Sequence, residues 1–156
     1  MPMTTALGRD DADLLTPRFC AVETSLTAGG AGDNTEITGG QIDLRDAFGT
    51  KRFGSLTLVL TARATLTAAQ TLALKAVRFE HSDDASAWSE MKAGATTLTM
   101  TGPEGGGTVT GEAVLGCNLL EAKRFVRAKF TPDLSAGATD TAKVSAVYVL
   151  SSPTEY

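Results

Sequence analysis

Nucleophilic catalysis by serine or cysteine needs a base beside the nucleophile, and the sequence offers one histidine, His81, between Glu80 and Ser82. Set at the end of an alternating segment, it reads as a loop-edge histidine. Acid/base work on a glycosidic bond needs two carboxylates converging on a cleft, whereas Asp83 and Asp84 are adjacent on a turn and their side chains diverge. One histidine with the distant Cys20 and Cys117 does not make a tetrahedral zinc set. Asp10, Asp11 and Asp13 resemble part of a calcium loop but lack its glycine and its distal glutamate. The glycine clusters at 29–32 and 105–107 are not followed by Lys-Ser/Thr and do not join a strand to a helix, so no phosphate cradle is expected. The expectation is a protein that is not an enzyme and needs no cofactor or metal.

Binding is better served. Lys123, Phe125, Arg127 and Lys129 fall on the polar phase of one segment, placing an aromatic among three cations that could grip an acidic protein surface or stack on RNA. An ordinary solvated strand face explains the same pattern about as well. Trp88, the one tryptophan, could serve with Tyr148 and the glycine-rich loops as a sugar platform, although tryptophan in a β-sandwich is more often core. The polar stretch before Pro17 lacks alternation and reads as an arm that orders against a partner, which adds Arg9, Asp10 and Asp11 to the candidate interface.

The elements that must position these residues are strands. From Ser55 to Leu66, Leu56, Leu58, Leu60, Ala62, Ala64 and Leu66 share one phase, and Thr57, Thr61, Arg63 and Thr65 share the other. In Thr71 to Glu80 the apolar phase changes from Leu72, Leu74 and Ala76 to Val77 and Phe79, which predicts a β-bulge near Ala76. The connection 67–70 makes the two a hairpin or the corner of a sandwich. The same period of two recurs in Cys20, Val22 and Leu26; in Leu98 and Met100; in Val109, Ala113 and Leu115; in Arg124, Val126, Ala128 and Phe130; and in Ala142 through Leu150. Ile37 and Ile42-Asp43-Leu44 flank Gly39-Gly40, where a bulge or tight bend is expected. Helical periodicity reaches at most a turn, at 118–123. The sum is an all-β, two-sheet antiparallel sandwich of about eight strands, jelly-roll-like, with an arm at 1–17 and one domain at 18–156.

Composition agrees. The 156 residues suit a single domain, and threonine and alanine each outnumber the 16 glycines, which favours strands. With 14 basic and 18 acidic residues the chain gains nothing overall from counterion release on a nucleic acid, so nucleic acid is not an expected partner. Neither a secretory leader nor a run of about 20 apolar residues is present, so synthesis in the cytoplasm without a membrane span is expected. Two buried thiols are favoured over a disulfide.

The order of three stretches resembles the jelly-roll cement, or decoration, proteins on the heads of some tailed bacteriophages. These are Ile42-Asp43-Leu44-Arg45-Asp46-Ala47-Phe48-Gly49 leading into the strand at Leu56–Leu60; Phe79-Glu80-His81-Ser82-Asp83-Asp84 with Trp88 beyond; and Lys123-Arg124-Phe125-Val126-Arg127 with the closing strand Thr141–Val147. The resemblance implies a virion protein on the capsid surface, made in the host cytoplasm. It also implies a protein that bridges copies of the major capsid protein, commonly as a homo-oligomer, a dimer or trimer. A phage tail or neck component and a carbohydrate-binding sandwich are the alternatives. Met1 to Thr16 departs from the family pattern.

Overall fold

The computed structural model describes residues 14–45, 51–135 and 139–155. Ten strands occur there: β1 (Thr16–Thr27), β2 (Ile37–Thr38), β3 (Ile42–Asp43), β4 (Lys51–Leu66), β5 (Thr71–Ser82), β6 (Ser89–Ala95), β7 (Leu98–Thr101), β8 (Gly107–Asn118), β9 (Phe125–Leu134) and β10 (Thr141–Glu155). They form a four-stranded sheet in the order β1-β10-β4-β8 and a six-stranded sheet in the order β2-β9-β5-β6, with β3 also on β9 and β7 also on β5. All pairings are antiparallel. Taking β2/β3 and β6/β7 each as one interrupted strand leaves the eight strands of a jelly roll, and the sequential neighbours β4 and β5 lie in different sheets.

The alternation places the core. Leu56, Leu58, Leu60, Ala62, Ala64 and Leu66 of β4, Val126, Ala128 and Phe130 of β9, and Ala142 through Leu150 at every second position of β10 are buried. Phe79, Phe130 and Tyr148 are the largest side chains sealed between the sheets.

Residues 67–70 form a corner and not a hairpin, because the Asp140 carboxylate takes the Thr67 N–H at 2.9 Å and holds the chain as it changes sheets. The bulge at Ala76 is present: its φ is 49°, and the β5–β9 register slips between Lys75 and Arg78. At Gly39-Gly40 the bend ties the two sheets together. The Gly39 N–H donates to Ala128 O of β9 at 2.9 Å, and the Gly40 N–H donates to Cys20 O of β1 at 2.8 Å.

Three expectations change, at Val22, at Arg124 and at the start of the sandwich. Val22 is exposed and not in phase with Cys20 and Leu26, because β1 slips against β10 on both sides of Ala21. The turn expected within 118–123 is there, closed after β8 by the Ala122 N–H on Leu119 O. Arg124 precedes β9 and pairs with Asp43 at 2.6 Å. The sandwich begins slightly earlier than residue 18, since Thr16 and Pro17 already lie opposite Leu150 and Val149. Cys20 and Cys117 are free and buried on β1 and β8. These strands are three places apart in one sheet, at least about 14 Å at the usual strand spacing and too far for a disulfide.

Candidate docking face

The cationic segment is gathered by β9, a central strand of the six-stranded sheet. Phe125, Arg127 and Lys129 share its half-buried outer phase, while Lys123 lies before the strand and reaches Asp83 of the neighbouring turn at 3.0 Å. The cations on this face are met by acids from other strands. Arg127 pairs with Glu80 of β5 at 2.8 Å, and Lys129 pairs with Glu36, just before β2, at 2.7 Å. Arg78 adds a 2.6 Å contact to Glu36 and a 3.4 Å contact to Glu80. The Lys129 and Arg78 hydrogen bonds hold the Glu36 carboxyl below its ordinary range, and the Glu36 carboxylate in turn raises Arg78. The face is therefore a charge lattice satisfied within the sheet. Arg9, Asp10 and Asp11 lie outside the described residues.

Trp88 belongs to the same surface. The Arg127 guanidinium sits 3.9 Å from the ring centroid, so one face of the indole is taken, and the indole N–H donates to Ala85 O. The preceding turn is built on Asp84, whose carboxylate accepts the N–H groups of Ala87 and Ser86, both at 2.9 Å, and the Ser82 hydroxyl. These bonds, the backbone pair first, draw Asp84 down to about 2. His81 stands at the end of β5, where its Nδ1 accepts the Lys123 N–H. Tyr148 is sealed in the core, with its hydroxyl taking the Ala128 N–H at 2.7 Å, so it offers nothing to a sugar at the surface.

Among the described residues, exposed large apolar side chains gather on the outer face of the four-stranded sheet. Phe19 of β1 lies opposite Val147 of β10, Val147 opposite Val59 of β4, and Val59 opposite Val114 of β8, giving one apolar row across all four strands. Phe19 is 63% exposed, Val22 beside it 67%, Val114 64% and Val147 38%. Pro17 and Val149 extend the apolar area on one side. On the other side it gives way to Ser145, Thr61 and Glu112, and then to Lys143 and Arg63, with Lys143 paired to Glu23 at 2.7 Å. An apolar centre with a polar rim is the anatomy of a protein interface. With four strands about 4.8 Å apart and about 12 residues long, the face covers roughly 750 Å², close to the about 800 Å² per partner of a standard interface.

Sequence reasoning missed this row because its members are single valines on the polar phases of three separate strands and one phenylalanine next to a bulge on the fourth. The signal present was Val59, Val114 and Val147, each apolar on the phase that otherwise carries threonine, serine and charge. Asp140 was also missed, and at 1% exposure it is one of the buried polar side chains among the described residues.

No family model matches the sequence, and no curated protein sequence matches it. Solved structures align with the chain only distantly. The Gx strain of infectious bursal disease virus aligns over 87% of this chain and 31% of its own at 13% identity and a TM-score of 0.42. Dimeric latent PorU from Porphyromonas gingivalis aligns over 91% of this chain and 13% of its own, at 13% identity and 0.43. The CBM22-1-GH10 modules of Clostridium thermocellum xylanase 10B align over 64% and 17%, at 13% identity and 0.33. This chain thus spans a third or less of each, and no activity, ligand or partner passes from them to it.

Proposed function

We propose that the protein is a structural component of a virion that decorates a tailed-phage head and braces neighbouring copies of the major capsid protein, with no catalytic step. The observation that carries this reading is the outward-facing apolar row of Phe19, Val147 and Val114 with the half-buried Val59, at the centre of a polar-rimmed sheet face of interface size. The order of the three sequence stretches supports it. Repeated weak contacts to a lattice add through the high effective concentration of neighbouring sites, so one modest face per copy suffices to brace a shell.

The test mixes the purified chain with expanded heads that lack their decoration protein. Saturable, symmetric decoration in electron micrographs is the expected result, with Phe19→Asp and Val147→Asp reducing occupancy at least about tenfold through loss of apolar burial. Heads left bare at saturating protein would overturn the head reading, and binding to isolated tails alone would move the site of action there.

A further inference from the structure

The four-stranded sheet ends on β8, and among the described residues no strand pairs with its outer edge, where the Lys92 side chain is the one guard the contacts show. β8 pairs with β4 without a register shift from Asn118 opposite Ser55 to Gly107 opposite Leu66. The opposite edge, β1, slips twice and carries Pro17, and β6 at the edge of the other sheet slips twice and carries Glu90 and Lys92. β8 has no proline, lysine or arginine, and Glu112 is its one charge. A long regular edge of this kind is a template for another strand.

The direction of its backbone groups can be read from two contacts. Cys117 O faces β4, where the Ser55 hydroxyl reaches it, whereas Gly116 O is taken from outside the sheet by the Lys92 ammonium. Since a residue's N–H and C=O point the same way and alternate along a strand, Thr108, Thr110, Glu112, Val114 and Gly116 turn theirs to the open edge. Their side chains stand on the same outer face as the apolar row.

The geometry points to a second copy of this chain as the occupant, with β8 pairing antiparallel to β8 about a two-fold axis through Val114. Outward-turned residues can bond only to outward-turned residues, which restricts the axis to a few positions. An axis at Glu112 sets two carboxylates directly opposite each other, which is destabilising. An axis at Ala113 sets Val114 against Glu112 and ends the apolar row at a charge. With the axis at Val114, Glu112 faces Gly116 of the second copy and Thr110 faces Asn118. The row then runs on through both copies, as Phe19, Val147, Val59, Val114 and then Val114, Val59, Val147, Phe19. The two four-stranded sheets become one of eight strands with a doubled docking face. One self-complementary edge closes on one partner, so the product is a dimer and not a fibre. The Lys92 ammonium must leave Gly116 O for the ladder to form, which makes Lys92 a guard on the edge. The pairing does not depend on what the doubled face binds.

The experiment is run on the full chain without heads. Val114→Cys is oxidised mildly, with Cys20 and Cys117 left in place, because burial pushes both native thiols up to about 11 and keeps them unreactive. Across the axis the two Val114 Cα atoms would stand about 5.5 Å apart, within disulfide range, while the Val59 pair would stand about 15 Å apart. Val114→Cys should therefore form a covalent dimer at least about tenfold faster than Val59→Cys. Sedimentation should show a dimer for the parent chain, a monomer with unchanged circular dichroism for Val114→Lys, and tighter dimerisation for Lys92→Ala. A parent chain that stays monomeric at every concentration, a dimer that survives Val114→Lys, or equal cross-linking at Val59 would each overturn the proposal.

Discussion

Tyr148 joins the two sheets through its hydroxyl. It hangs from β10 of one sheet, takes the Ala128 N–H from β9 of the other, and shares a hydrogen bond with the Cys20 thiol. Desolvation in this site raises Tyr148 well above its ordinary range, so it stays a neutral phenol throughout the working pH range. Gly39 is fixed by the same cluster. A Cβ there would lie 2.5 Å from Tyr148 Oη and 2.6 Å from Cys20 Sγ, neither of which has room to retreat. Gly39→Ala should cost about 1–3 kcal/mol by overpacking, and Tyr148→Phe a similar amount by stranding the Ala128 N–H. Removing the hydroxyl also opens space for the added methyl, so the double variant should lose at least about 0.5 kcal/mol less than the two single losses together. Urea unfolding of the four proteins closes this cycle, and strict additivity would show that the two residues do not share the site.

At the scale of the strand, Ala76 holds a left-handed conformation at an exposed position of β5, where the register slips. An L-residue there stores about 1–2 kcal/mol, and glycine would relieve it while giving up about 0.4–1 kcal/mol of unfolded-chain restriction. Ala76→Gly should thus leave stability unchanged or raise it by up to about 1.6 kcal/mol, against the usual loss for glycine in a strand. A clear fall in melting temperature would count against strain at the bulge. This bulge was legible because burial on both sides of it makes the phase change visible in the order Leu74, Val77, Phe79. β4, β9 and β10 were legible for the same reason. β6 was not, because Ser89–Ala95 is an edge strand exposed on nearly every residue and leaves no alternation to detect. The cations of β9 were legible as a cluster, but their acidic partners were not. Glu80 comes from β5 and Glu36 from the segment just before β2, and a sequence does not show which segments will be neighbours.

At the scale of the whole molecule, two carboxylates among the described residues, Asp84 and Glu36, are held by hydrogen bonds and should make stability acid-sensitive. Asp84 is drawn to about 2 and Glu36 lies below its ordinary range, while the unfolded chain titrates such groups near about 4. Between these values the unfolded state binds more protons than the folded one, so stability rises with pH across that window. It is fully present above the unfolded values and is lost as the pH falls toward about 2. Melting temperatures between about pH 2 and 5 should follow this course, and Asp84→Asn with Glu36→Gln should flatten it; an unchanged slope would place the sensitivity elsewhere. The position of β10 bears on how such a molecule is made. It lies between β1 and β4, and each of its pairings with β1 joins residues well over a hundred positions apart. Until Thr141–Leu150 has left the ribosome, β1 has no neighbour and one flank of β4 is bare. The nascent chain therefore carries β1 unpaired and β4 paired on one side alone, so closure of this sheet waits on contacts of high sequence separation and is expected to come late and slowly, at a stage when a holdase chaperone would find it most easily.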